Sequence, residues 1–467
     1  MSYVFYDIET TGLRQRYDQI TSFAAVQTNN DLTITDQFEI RARICTHIIP
    51  ALGAIAVTGV GIDRMFDPAL PSQYEAVCAI HEKMDAWCPS LFAGFNSVSF
   101  DEELLRHSFY QNLKPPYITT QRGNGRADVL DLCRVTANLR PDVLLPAIGA
   151  DGRKVFRLAE LAAANGLGQG HAHSAMADAI TTLSLCRHIK SEAPDVWSIF
   201  ARFVTKPAVN EFTDREDAFL YFSARPGPDD PLVLTRLGSY AHNPARIHCL
   251  DLLSDLDVLS AMDDAGLAEA LATRGGPLVP LRLNAAPMMT ELFHGTPDHL
   301  GGRDEEEIME RVVRVRSEAT LGPRILALAQ AAERQFGTPE HVEDQLYGFD
   351  SPGYRDGLLM VEFHTGDWTQ RAALTREFSD RRLQQLARRI VYFGNPNSLV
   401  GAEVDAMERG IKARHLASTD ARWLTLAGAR DELAKFEADS IAVERLDPQI
   451  LTTYRAYLDA IENRLSL

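Results

Sequence analysis

The chain opens Tyr3-Val4-Phe5-Tyr6-Asp7-Ile8-Glu9-Thr10-Thr11-Gly12, and this stretch decides the fold. Aromatic and β-branched residues dominate positions 3–7, which predicts a strand at the start of the chain. Side chains two apart in a strand share a face, so Asp7 and Glu9 present two carboxylates side by side. The apolar residues before and between them place the strand centrally, where unpaired carboxylates are costly and call for a cation. The competing reading is a solvated strand end, because an acidic chain holds other Asp-x-Glu triplets. Gly12 allows a sharp exit.

Two later segments supply further acids. Asn96-Ser97-Val98-Ser99-Phe100-Asp101 ends an apolar run and opens a helix. Asp101, Glu102 and Glu103 crowd its first turn. Helix-dipole stabilisation of roughly 0.3–1 kcal/mol accounts for Glu102 and Glu103. For Asp101, the spacing from Asn96 and the packing residue Phe100 favour a functional role. His171-Ala172-His173-Ser174-Ala175-Met176-Ala177-Asp178 puts Asp178 in the first turn of a helix capped by Ser174. His173 precedes the cap, so both can face one spot, and the glycine-rich approach over 166–170 leaves the histidine on a mobile loop. His171 is read as structural or solvent-exposed. Asp7, Glu9, Asp101 and Asp178 together make an all-oxygen donor set, which selects Mg²⁺ or Mn²⁺ over zinc. Two such ions ~3.5–4 Å apart activate a water and stabilise the leaving oxygen of a phosphodiester. A neutral histidine beside that water acts as general base, an effect of about 10²–10⁴-fold.

Outward from these segments, residues 1–190 read as α/β. Further strands are expected at 19–28, 32–41 and 91–96, and helices at 71–87, 100–110, 158–165 and 175–188. Residues 191–345 read as a smaller β-rich domain, with strands at 218–223, 232–237 and 246–250, then helices at 305–318 and 324–335. Residues 346–467 read as all-helical, with helices at 380–393, 403–415, 422–439 and 450–465. A chain of 467 residues accommodates about three domains at roughly 150 residues each.

The composition is that of a soluble globular chain, 45% hydrophobic and 24% charged. With 47 Lys and Arg against 64 Asp and Glu, the net charge is −17. This argues against broad adhesion to nucleic acid or anionic membrane and confines any such contact to a local basic groove. The six cysteines form no C-x-x-C pair, which speaks against a zinc ribbon and for reduced thiols in a cytoplasm. No secretory leader and no apolar run approaching ~18 residues is visible, so a cytoplasmic location without membrane contact is expected.

The order D-x-E, D, H-x₄-D resembles the DEDDh exonucleases of the DnaQ-like superfamily. Further strings are similar to its bacterial exodeoxyribonuclease I family. These are Phe156-Arg157-Leu158 leading into Ala163-Ala164-Asn165-Gly166, the run from His173 to Asp178, and Gly94-Phe95-Asn96 with Phe100-Asp101. Asp344-Gln345-Leu346-Tyr347 and Phe378-Ser379-Asp380-Arg381-Arg382 fall where that family has similar strings. The resemblance implies a ribonuclease-H-like exonuclease domain, a Src-homology-3-like middle domain and a helical C-terminal domain. It implies that Asp7 bridges two Mg²⁺ ions, replaceable by Mn²⁺. Glu9 and Asp178 would bind the ion carrying the attacking water, Asp101 would support the other, and His173 would be the general base. Glu9 and Arg157 would contact substrate, Arg157 through its phosphate, and Thr58-Gly59 would pack near the terminal nucleotide. A surface arginine and a plain turn are the competing readings of those last two motifs. The Asp7-to-Gly12 string is closer to the general superfamily form, and the middle region is the most divergent.

The implied activity is 3′→5′ hydrolysis of single-stranded DNA to 5′-mononucleotides, in DNA repair and recombination, by a monomer. The implied partner is the acidic C-terminal tail of single-stranded-DNA-binding protein. Two segments are candidates for the basic groove: 121–126, with Arg122 and Arg126, and the arginines from Arg371 through Arg376, Arg381 and Arg382 to Arg388 and Arg389. The last two are expected on a solvated helix face. Contacts to phosphate would be salt-dependent, with aromatic stacking worth ~1–3 kcal/mol per base. The alternatives are an exonuclease on RNA ends, a proofreading subunit, or a non-catalytic nucleic-acid-binding scaffold. The two large extra domains argue against a minimal proofreader, and the complete acid set against a scaffold.

Overall fold

The computed structural model describes residues 2–167, 174–222, 231–317, 321–333, 337–347, 352–439 and 446–466. Its first sheet has the order β3-β2-β1-β4-β5, from Ser2–Thr10 (β1), Ile20–Thr28 (β2), Ile34–Arg41 (β3), Ser90–Gly94 (β4) and Gly125–Asp128 (β5). The opening strand is central, as its apolar content predicts. It pairs antiparallel with β2, setting Asp7 opposite Ala24, and parallel with β4, setting Phe5 opposite Ala93. β4 and β5 are also parallel, with Gly94 opposite Asp128. Three parallel strands therefore end on one edge, where open α/β sheets build their sites.

Alternation along β1 separates two cores. Val4, Tyr6 and Ile8 pack with Val77, Ile80 and Met84 of helix α3 (Gln73–Ala86) and Leu104, Leu105 and Phe109 of α4 (Asp101–Gln111). Tyr3 and Phe5 pack with Leu183, Cys186 and Ile189 of α7 (Ala175–Glu192). Asp7 and Glu9 continue that second face, so the strand period carries them under α7. Short helices α1 (Leu52–Thr58) and α2 (Ile62–Met65) follow β3. α5 (Val129–Leu139) follows β5, and α6 (Leu158–Ala164) precedes α7.

A second, antiparallel sheet has the order β11-β10-β9-β8-β12, from Phe219–Phe222 (β8), Leu232–Ser239 (β9), Arg246–Asp251 (β10), Leu278–Arg282 (β11) and Met288–Glu291 (β12). The strands numbered between the two sheets are a short pair, Ala147–Ile148 (β6) and Lys154–Val155 (β7). The middle region is less purely β than expected. It opens with helices Pro194–Arg202 and Lys206–Arg215, whose apolar residues join the sheet cores. From Tyr354 onward the described residues form helices and connecting segments only. Leu424, Leu433, Tyr454 and Leu458 from that region pack on α1 and α2 through Leu52, Ile55 and Ile62.

Boundaries shift for local reasons. β4 stops at Gly94, short of the expected 96, because Asn96 turns left-handed at φ 60°. α7 runs four residues past 188 and ends at Glu192, immediately before the Pro194 helix.

Candidate active site

Three segments deliver carboxylates to the carboxyl edge of the first sheet. Asp7 and Glu9 stand on β1, half-buried. Asp178 comes from the first turn of α7, whose cap is Ser174, accepting from the Ala177 N–H at 3.3 Å. One carboxylate oxygen from each of Asp7, Glu9 and Asp178 lies within 4.8 Å of the others. Asp101 is buried at the start of α4, and the backbone N–H of Ile8 donates to its carboxylate. Of the four acids expected together, Asp7, Glu9 and Asp178 meet, and Asp101 stands outside that trio, near enough to Asp7 to repel its charge.

Close packing sets the Asp101 position. A Cβ on Gly94 would lie 2.7 Å from the Tyr6 carbonyl and 2.7 Å from the Ser97 Cβ, so only glycine lets β4 pass there. The loop then folds onto Asp128, a residue the sequence reading passed over. Its carboxylate accepts from the N–H groups of Asn96 at 2.8 Å, Val98 at 3.1 Å and Leu130 at 3.0 Å. The last bond caps α5. The signal available in sequence was an aspartate between an apolar strand and an amphipathic helix.

Electrostatics follow from burial. Desolvation pushes the Asp7 carboxyl well above the usual range, with Asp101, Glu9 and Asp178 adding repulsion. Burial does the same to Asp101, reinforced by Asp128 and Glu9. Asp128 itself is raised to about 6 by burial, and Asp131 to about 8 by burial and the Asp128 charge. Like charges crowded out of water destabilise one another unless a cation joins them.

The remaining candidates are placed as follows. His173, His171 and the loop over 168–173 lie outside the described residues. Arg157 precedes α6 with its side chain 78% exposed, paired to Glu160 at 3.2 Å. Thr58 ends α1, its Oγ1 donating to the Ala54 carbonyl, and Gly59 follows left-handed at φ 68°. The start of α1 is tied to the β1 exit, because the Ala51 N–H donates to the Thr11 carbonyl at 2.7 Å.

The expected basic segments are corrected. Arg126 is buried in β5, bound to Glu102 at 3.0 Å and to the Asn284 carbonyl at 3.0 and 2.6 Å. Arg122 pairs with Asp85. Arg371 lies over the Trp368 ring and donates to the Phe363 and His364 carbonyls. Arg376 and Arg388 pair with Glu403, and Arg382 with Asp380. Arg389, expected on a solvated face, is largely buried against Glu343 and Gln111. Arg381 stays exposed. Glu102 is no dipole ornament: it is buried and takes Arg106, Arg126, Thr119 and Tyr6.

With this geometry in hand, comparisons with known proteins agree with it. Residues 4–186 match the exonuclease family RNase_T. The chain is 27% identical over 416 residues to exodeoxyribonuclease I of Haemophilus influenzae, across 82% of this chain and 84% of that one. It is similar to a solved exonuclease I of Methylocaldum szegediense, at 24% identity and TM-score 0.86. It is also similar to Escherichia coli exonuclease I in complex with a dA16 oligonucleotide, at 22% identity and TM-score 0.87. Each structural match covers 98% of this chain and 99% of the other.

Proposed function

We propose that this chain, a nuclease whose residues 4–186 are an exonuclease domain, degrades single-stranded DNA from the 3′ end to 5′-mononucleotides, in DNA repair and recombination. The convergence of Asp7, Glu9 and Asp178 within 4.8 Å, with Asp101 at their side, carries this reading. The exodeoxyribonuclease I relatives across 82% of the chain support it, as does the likeness to an exonuclease I in complex with a dA16 oligonucleotide. The division into domains at 1–190, 191–345 and 346–467 belongs to the same proposal.

The donor set fits divalent metal. It is all oxygen, it is crowded, and burial together with the charges of Asp101, Glu9 and Asp178 drives the Asp7 carboxyl up. Bound there, two Mg²⁺ ions would supply a nucleophilic water near neutral pH and charge stabilisation at the leaving oxygen. Asp7, Glu9, Asp101 and Asp178 would hold them. His173 would take the proton of the attacking water. Glu9 and the Thr58-Gly59 turn would seat the terminal nucleotide, and Arg157 would exchange its exposed Glu160 partner for a phosphate. The protein would act as a cytoplasmic monomer and recruit the acidic tail of single-stranded-DNA-binding protein.

The test is digestion of end-labelled single-stranded DNA, duplex DNA and RNA, with Mg²⁺ and with chelator. Rapid mononucleotide release from single-stranded DNA is expected, lost with chelator or in Asp7→Ala while DNA binding persists. Undiminished release by Asp7→Ala would remove the acid cluster from the chemistry. Faster release from RNA would move the substrate class.

A further inference from the structure

A cavity of about 310 Å³ lies between the segment leaving β3 and the C-terminal helix Arg381–Gly394. Arg43 and His47 line one wall, Gln73 opens a second at the start of α3, and Arg389 and Phe393 form a third. Among the described residues no aspartate or glutamate lines it, although the chain carries 64 of them. Two acids next to its wall residues are engaged by other groups: Glu343 is shared by Arg389 at 2.6 Å and Arg414 at 3.4 Å, and Glu75 is bound to Ser72. Two guanidinium groups, Arg43 and Arg389, thus line a cavity that holds no carboxylate of its own among the described residues.

Two polar atoms on its wall have no partner among the described residues. They are Oε1 of Gln73, 5% exposed, and Nδ1 of His47, 8% exposed. Buried polar atoms in folded proteins are almost always satisfied, so these point to a guest. Among the described residues the Arg43 guanidinium donates through Nη1 alone, to the carbonyls of Pro68 and Leu70, and a guanidinium carries five N–H donors. The His47 ring stacks on Phe393 at 4.8 Å between centroids and 24° between planes, giving a flat wall beside the cationic one. At this volume the cavity falls in the small-ligand range of roughly 300–1,000 Å³.

We propose that this cavity binds a nucleoside monophosphate, with the phosphate at Arg43 and Arg389 and the base against the His47–Phe393 pair within reach of the Gln73 amide. The choice of a nucleotide over another phosphate monoester rests on the exonuclease reading, which makes it the product released. Gln19 also lines the cavity, and its backbone exchanges bonds with Thr11, N–H to carbonyl at 2.9 Å and N–H to Oγ1 at 2.9 Å. Occupancy is therefore linked to the β1 exit two residues beyond Glu9.

The experiment is isothermal titration and thermal melting of the full chain in excess chelator, with dAMP, deoxyadenosine or inorganic phosphate. Millimolar dAMP should raise the melting temperature by several degrees, and the other two by much less. Gln73→Glu, which sets a carboxylate in the cavity, and Arg43→Gln should each weaken dAMP binding at least tenfold, and Asp7→Ala should bind as wild type. No response to dAMP, equal stabilisation by phosphate alone, or undiminished binding in both cavity variants would overturn the proposal. Loss of binding in Asp7→Ala would overturn it too, by placing the nucleotide at the carboxylate cluster. Chelator silences turnover throughout, so failure here leaves the exonuclease reading standing, and failure of the digestion assay leaves this binding result standing.

Discussion

At the level of single residues, Asp7 carries a heavy electrostatic load. Its folded carboxyl titrates above its unfolded value, because burial and three neighbouring acids disfavour the charge. Between those two values the folded chain holds the proton that the unfolded chain has released. Stability therefore falls as pH rises through that window, and the whole cost is present above it. Asp7→Asn removes the cost. In chelator at pH 7.5 the variant should melt a few degrees above wild type, the gap closing as pH drops to about 4, near the unfolded value. With Mg²⁺ the order should invert, since only wild type gains full metal stabilisation; melting curves with and without Mg²⁺ check both signs. His173 separates chemistry from binding. His173→Ala should lower turnover about 10²–10⁴-fold while leaving the Mg²⁺-dependent rise in melting temperature intact, and an unchanged rate would exclude it as the base.

Between elements, the loop joining β4 to α4 hangs on Asp128. In Asp128→Asn one amide oxygen can still receive the Asn96 and Leu130 N–H groups, but the Val98 N–H then meets an NH₂ group. A buried donor left unpaired costs about 1–3 kcal/mol. Denaturant titration should show a loss of that size, with turnover reduced about tenfold and KM nearly unchanged, because Asp101 is displaced rather than removed. Periodicity made the acid-bearing elements legible: the alternation of β1, the apolar end of β4 and the Ser174 cap of α7 are local signals, and Asp7, Glu9 and Asp178 come together. The Asp128 cap of α5 had a local signal, but its two bonds to the Asn96 and Val98 N–H groups bridge about thirty residues to backbone and leave no mark in side-chain pattern. Arg126 misled in the opposite way. Beside Gly123 and Gly125 it reads as a basic loop, and only the fold sets Glu102 against it. Seven-residue α1 shows too few turns for periodicity to register.

Across the whole molecule, the same conversion of apparent DNA-binding charge into internal ion pairs explains how a chain of net charge −17 joins its nuclease sheet to the C-terminal helices. Asp344, read from the sequence only as part of a family string, is 1% exposed at its side chain and accepts from Arg16 at 3.0 Å, Tyr17 at 2.5 Å and Arg422 at 2.6 Å. Three residues on, the Tyr347 hydroxyl donates to Glu103 at 2.8 Å. Residues 344–347 thus clamp the β1 exit and α4 from outside the nuclease sheet. The partners hold the Asp344 carboxyl below its usual range against the cost of burial, so its contribution is present at neutral pH and lost as pH falls through the folded value. Arg16 and Arg422 are about half exposed, which discounts the pair relative to a fully buried one. Asp344→Ala should therefore cost about 2–3 kcal/mol rather than the 3–5 of a fully buried pair. Among the described residues Asp344 bonds to Arg16, Tyr17 and Arg422 and to none of the clustered acids, so cleavage of a short strand at 20 °C should stay within about twofold of wild type while the melting temperature drops. Because Asp344 stabilises only in its charged form, the gap between wild type and variant should be widest near pH 7 and shrink below about pH 4. A gap that stayed constant down to pH 3 would mean that packing, not the carboxylate charge, holds the two regions together.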